Sequence, residues 1–577
     1  MGVFSHRTTW LAETHSVRFE LFRHFFVRFF DNEFVTTPGQ WRIVAGGALG
    51  ILFSLAIVYT QAYYHKYLVL NALEDPAPYA RASRADFLFI ILLAMTLVGI
   101  LTMLQWGSLF PGLRDYLALA ALPVRMRDLF LARFAALLCF ALLFTVSVTI
   151  LPSAVLPAVM AGRFGGEVSI LFLALFVSAT AAALFVFFAL VSMQGIMLLL
   201  IPPKWFSRVS SVVQGSLLTA LICALPLIFS VPALERFMIA WPSWAIAAPP
   251  LWFLGLHQAI AHSSDPLALV LTRASFAGLA AAAACAILTY YWTYSRHRIR
   301  VLESQSVPSA ALAWPTSWTR YLVRDCRELG VFAFITKTLV RSPHHRLVLT
   351  AFLATALAIV AEGLLGVAWG QRRWDRLLES PATQRVIVSI PLALSLFTCA
   401  GLRYLFRLPA ELRANWMFRI IAPGNQAAFL RGVEKIYFYW GAVSVGVAAA
   451  PILVVLLGVA RGLVCSLACF LFSLILIELV LFHLDRVPFT SSYLPGRRPL
   501  IETTLRYWIA AVLYIAIPGS IVFNALRSVA GSIALNLGLI LLWQGTRYLR
   551  QKGRVTTRLE FEELPEVAVQ VLAIDRD

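Results

Sequence analysis

Arginines and aspartates gather around one proline in the stretch Asp115 to Arg133, DYLALAALPVRMRDLFLAR. Arg114 precedes it, Arg125, Arg127 and Arg133 lie within it, and Asp115 and Asp128 are interleaved. Leu129 and Phe130 place an apolar face beside the charges. The chemistry such residues offer is recognition: arginines pair with acidic side chains across an interface while the apolar face seats in a groove. The stretch lies between two long apolar runs and is broken by Pro123, so a solvated connector is the competing reading. The pattern recurs at an offset of 300. Ile421 to Gly432, IAPGNQAAFLRG, puts Pro423 at the place of Pro123, Phe429 at Leu129 and Leu430 at Phe130, with Asn425 and Gln426 where the first copy has Arg125 and Met126.

Other residues that could do chemistry are few. There is no GxxxxGK[ST] phosphate loop, so the chain should not hydrolyse ATP by itself, and neither HExxH nor GxSxG occurs. His344 and His345 are adjacent, which sends their rings to different sides of a helix, and no carboxylate stands near them in sequence. Glu478 lies in an apolar run with Asp485 just beyond. A carboxylate in that position either marks an ion path or is paired near an interface. The seven cysteines fall mostly within apolar runs without a CxxC, which points to neither a disulfide framework nor a zinc site.

The elements that must position these residues are apolar helices. Hydrophobic residues make up 60% of the chain and charged residues 13%, with a mean hydropathy of +0.79. The balance predicts an all-α, polytopic membrane protein. The net charge of +19 is spread over short loops, which fits anionic lipid headgroups and membrane topology and speaks against nucleic acid. Apolar runs of spanning length predict about twelve transmembrane helices. In the first half they lie near 42–63, 86–110, 134–160, 168–193, 212–231 and 269–292; in the second, near 347–369, 386–406, 436–460, 463–484, 507–525 and 528–545. Ahead of the first run, residues 15–30 mix phenylalanines and arginines at helical spacing, as does a helix lying in the membrane interface or one packed on protein. Residues 194–211 read as a polar turn. Residues 232–265 carry Trp241, Trp244, Pro249, Pro250, Trp252 and Phe253, too apolar for a free loop and too interrupted to span. They suit an outer hairpin dipping into the interface, or an aromatic-anchored surface loop.

These readings divide the chain into a first half (1–293), a basic linker with an amphipathic helix over Glu328–Val340 (294–346), a second half (347–548) and a C-terminal tail (549–577) with glutamates among apolar residues. Six spans per half is an even number, so the halves are parallel repeats. Most of the 48 lysines and arginines fall on the side shared by both termini, which predicts cytosolic termini.

The plan resembles the permease of ABC type-2 exporters. LPVRMRDLFLARF (122–134) is similar to that family's segment leading into the third span, and APPLWFLGL (248–256) to its proline-rich outer segment. LPAELRANWMFR (408–419) and VPFTSSYLPGRR (487–498) are similar to parts of large two-halved permeases. The resemblance implies a bacterial cytoplasmic (inner) membrane protein that exports an unspecified substrate. It would work with a separate ABC ATPase, two copies per chain, and that partner rather than this chain would bind ATP and magnesium. Asp115, Pro123, Arg125, Arg127, Asp128, Leu129 and Phe130 would then form one ATPase-coupling segment, and Pro423, Asn425 and Gln426 the other. The second half departs from the pattern: it lacks a long outer hairpin, and its Gly424-Asn425-Gln426 leaves one coupling site altered. A membrane scaffold or sensor with permease architecture, or an enzyme acting on lipid-linked substrates, are the alternatives.

Overall fold

The computed structural model describes residues 18–27, 61, 63–110, 126–229, 231, 245–262, 265–303, 323, 325–370, 380–406, 426–482, 488–489 and 500–554. Of these, 126–127, 130, 203–204, 207, 294–303, 368–370, 426–427, 500–508 and 553–554 are described as backbone only. The fold is all-α, with no strand among the described residues. Ten helices there are long and apolar enough to cross a membrane, as a polytopic membrane protein requires. The first expected span, 42–63, lies outside the described residues except at its end, as does the tail beyond 554.

The chain forms two compact units, Met1–Ala310 and Ala311–Asp577. The first contains α1 (18–27), α2 (63–72), α3 (Ala77–Leu104), α4 (Met126–Met160), α5 (Val168–Leu200), α6 (Pro203–Phe229), α7 (Pro249–Ile260) and α8 (Pro266–Glu303). Helix α5 is central and packs on α3, α4, α7 and α8. Ala174, Ala179, Ala182 and Ala183 on it are fully buried, and such small side chains let neighbouring helices approach closely. Helices α6 and α8 turn large apolar side chains outward, among them Val212, Phe229, Leu269 and Phe276, as a lipid-facing surface does.

Two boundaries in this unit differ from the sequence reading. Helix α3 starts at Ala77, well before Asp86, because Asp75 accepts a hydrogen bond from the Ala77 amide (2.9 Å) at its start, and the charge of Asp86 is matched inside the fold. The turn expected over 194–211 shrinks to Ile201 and Pro202, since Pro203 is at home in the first turn of α6.

The second unit contains α9 (Cys326–Arg341), α10 (Pro343–Gly370), α11 (Pro381–Leu405), α12 (Gln426–Ile436), a π-helical segment Tyr437–Val443, α13 (Ser444–Leu457), α14 (Val459–Leu481), α15 (Leu500–Ala525) and α16 (Val529–Arg554). Helix α11 is its centre, packed on α10, α13, α14 and α15. The boundary expected at Arg461-Gly462 falls instead at Gly458, whose φ of 84° is one that glycine alone adopts freely. Arg461 and Gly462 belong to the first turn of α14.

Candidate functional site

In the first unit, α1 is amphipathic, and Arg18, Leu21 and Phe25 fall on one stripe at i, i+3 and i+7. Leu21 and Phe25 are buried. Arg18 Nε donates to Asp128 Oδ1 at 2.7 Å near the start of α4; the arginine side chain is 47% exposed and the aspartate 10%. Leu129 beside it is buried. Further along α4, the buried Arg133 sends Nη2 to the carbonyls of Ser108 and Phe110 at 2.9 and 3.0 Å, just beyond the end of α3, and its guanidinium lies 5.2 Å from the Phe25 ring. One cation thus closes orphan carbonyls and caps an aromatic face. Trp106 Nε1 donates to Ser210 Oγ (2.9 Å), Gln194 Nε2 to the Trp106 carbonyl (2.9 Å) and Gln214 Nε2 to the Met103 carbonyl (2.8 Å), stitching α3, α5 and α6 together at the same end.

The second unit builds a similar contact from other residues. Asp325 caps α9, its side chain accepting from the Arg327 amide (2.9 Å). Glu328, Val331 and Ile335 repeat the i, i+3, i+7 stripe, and all three are buried. Arg431 Nε donates to Glu328 Oε1 at 2.5 Å and Lys435 Nζ to Oε2 at 2.6 Å, both from α12. Burial alone pushes the Glu328 carboxyl upward, but the hydrogen bonds from Lys435 and Arg431 outweigh it and hold the group below its ordinary value. At Gly432 a Cβ would lie 3.0 Å from the Val331 Cβ, so α9 and α12 touch there almost backbone to backbone. Glu434 on α12 accepts from Arg550 Nη2 at 2.8 Å, and Arg550 Nε also donates to Glu478 on α14. Glu478 is therefore paired, with both it and Arg550 buried.

Of the proposed coupling residues, Asp128 is thus paired to Arg18 of the chain's own α1, and Leu129 is buried. Arg127 and Phe130 are placed in α4, and Gln426 opens α12, by backbone alone. Asp115, Pro123, Arg125, Pro423 and Asn425 lie outside the described residues.

The expected outer hairpin is a helix in its second part. Pro249 and Pro250 open α7, where a missing N–H costs nothing. Phe253 is buried against Phe185 of α5 (5.7 Å between rings), and Trp252 Nε1 donates to the Ile246 carbonyl (2.7 Å). His257 is buried against Phe87 of α3 (4.0 Å), with neither ring nitrogen hydrogen-bonded. Trp241 and Trp244 lie outside the described residues.

The sequence reading missed one cluster. Asp86, fully buried, accepts from Lys66 Nζ (2.8 and 3.0 Å) and from Tyr67 Oη (2.5 Å). Burial, then the neighbouring carboxylate, push the Tyr67 phenol up, which keeps it a donor. The available signal was a lone acid inside the apolar run 86–110, where an unpaired charge is costly. No known family matches the chain, and neither a curated protein nor a solved structure matches it.

Proposed function

We propose that this chain is the membrane permease of an ATP-driven exporter, resembling the ABC type-2 class, and that it is powered by a separate ATPase. Both termini would be cytosolic, in a bacterial cytoplasmic membrane. Each loop helix, the start of α4 and α12, would meet one ATPase copy, and closure of that pair on ATP would move the helical units and open an outward path. The observation that carries this reading is the repeated end-construction. In each unit an amphipathic helix from an earlier part of the chain is fixed by ion pairs onto the helix that emerges from the 111–125 or 407–425 segment. A helix that has to pass a push into a membrane bundle needs such an anchor. The helix α7, packed on α3, α5 and α8, supports the same reading.

The test is co-purification with the ATPase and transport-linked hydrolysis. One chain should carry two ATPase copies by native mass. Arg125→Glu with Arg127→Glu should lower association about thirtyfold or more, from the roughly 2 kcal/mol or more that removing one side of a desolvated charge pair costs. Elution in detergent should stay monodisperse. Unchanged association and hydrolysis in that variant would return the stretch to a solvated connector and favour a non-transporting membrane scaffold.

A further inference from the structure

The two anchoring contacts share a shape and differ in sign. Arg18, Leu21 and Phe25 on α1 correspond to Glu328, Val331 and Ile335 on α9, a constant offset of 310. In the first unit the base is on the amphipathic helix and the acid, Asp128, is on the loop helix. In the second unit the acid, Glu328, is on the amphipathic helix and the bases, Arg431 and Lys435, are on the loop helix. In both units the acid is the buried partner, 10% exposed at Asp128 and 7% at Glu328, while the bases are 31–51% exposed. Leu21 and Val331 are alike in character and both buried, so at that position the apolar contact discriminates little, while Phe25 and Ile335 differ and Phe25 faces a guanidinium, that of Arg133.

We propose that this reversed polarity is an addressing code, which makes each amphipathic helix dock only on the loop helix of its own half. Exchanged, α9 would set Glu328 against Asp128, two carboxylates in desolvated positions. Helix α1 would set Arg18 against Arg431 and Lys435. Like charges brought together at an interface suppress the wrong pairing more strongly than the right pair favours the correct one. A chain with two similar grooves and two similar helices needs that discrimination during folding and between neighbouring copies. This addressing acts in the assembly of the chain alone and is the same whether or not the chain transports anything.

Cysteine pairs can report the docking. Val331→Cys with Gly432→Cys sits at a Cβ separation of 3.0 Å, a few tenths of an ångström under the disulfide range. By the sequence offsets of 310 and 300, Leu21→Cys with Ala132→Cys is the corresponding pair in the first half, both positions being buried. In the full chain with native polarity, peptide mass mapping should find only own-half disulfides. In the Arg18→Glu/Asp128→Arg background each ion pair survives, but the two halves now carry the same code. Crossed disulfides, Leu21→Cys to Gly432→Cys and Val331→Cys to Ala132→Cys, should then rise about tenfold or more within or between chains, the factor that removing ~1.4 kcal/mol of discrimination gives. Glu328→Arg with Arg431→Glu and Lys435→Glu reverses the other half and should do the same. Own-half disulfides alone in both reversed backgrounds would overturn the proposal. So would loss of own-half disulfides with no crossed ones, or crossed disulfides at equal yield in the native background.

Discussion

Helix α4 runs unbroken from Met126 to Met160, whereas the helix that begins at Gln426 changes to π winding at Tyr437–Val443 and stops at Gly458. At the offset of 300, Ala141 of α4 corresponds to Gly441 in the π segment. Ala141 is buried in a regular helix. At Gly441 a Cβ would fall 2.8 Å from Cys399 Sγ, so the wound backbone is pressed onto α11 where α4 keeps a side chain between itself and its neighbour. A π turn, bonded i→i+5, is rare and appears mostly as a single-turn bulge inside an α-helix. The buried charges differ as well. Glu478 of the second half, paired to Arg550, stands where the first half has the buried Ser178, and Asp86 of the first half stands where the second has Val386. A shared plan of helices fixes which surfaces meet, and the residues at each meeting decide how.

The sharpest break in that comparison comes from the Arg550 network. Arg550→Met would strand Glu478 in a buried position and remove the Arg550 hydrogen bond from Glu434, at a cost of about 3–5 kcal/mol. The apparent Tm of the detergent-solubilised chain should fall accordingly, and Arg550→Met/Glu478→Leu should recover most of it. A fall of less than ~1 kcal/mol in the single variant would mean that this network does not hold α12, α14 and α16 together. Lys66→Met does the same in the first half. It leaves Asp86 with Tyr67 as its remaining donor among these residues, and because the lysine is 27% exposed the loss should be smaller, about 2–3 kcal/mol. Gly441→Ala forces a methyl against Cys399 and should cost about 1–3 kcal/mol, against about 1 kcal/mol for Ala141→Gly in the regular helix. Equal losses at the two positions would remove close packing as the reason for the π segment.

The smallest effect is one of pH. The folded carboxyl of Glu328 titrates below its ordinary value, so its contribution is fully present above the unfolded value and is lost as pH falls through the folded one. Amide-exchange protection over 329–339, corrected for intrinsic rates, should hold at neutral pH and drop only below the ordinary glutamate range. Glu328→Gln should flatten that dependence. Loss of protection near neutral pH in the native chain would contradict the sign of this coupling.

Much of the fold was legible because long apolar runs leave a chain in lipid few options other than helices. What the runs could not show was pairing at a distance. Arg18 meets Asp128, Glu328 meets Arg431, and Arg550 meets Glu478 across separations of 110, 103 and 72 residues, which no local pattern records. Helix ends misled where a charge was taken for a boundary, at Asp86 and at Arg461. The true limits were Asp75-Pro76, where the Asp75 carboxylate accepts from the Ala77 amide, and Gly458 with its positive φ. The π winding at YFYWGAV was hidden because an aromatic-rich apolar run reads as an ordinary helix. In the coupling stretch the apolar Leu129 is buried within this chain, beside an Asp128 paired to Arg18.

The single-residue joint at Gly458 has a consequence for biogenesis. Helices α13 and α14 are each apolar, and one non-helical residue separates them. A translocation machine that releases spans one at a time needs enough loop to hold the first in place while the second waits. One glycine provides none. The two would then enter the bilayer together as a preformed hairpin, and in the proposed orientation the exposed Arg461 would cross in the same step.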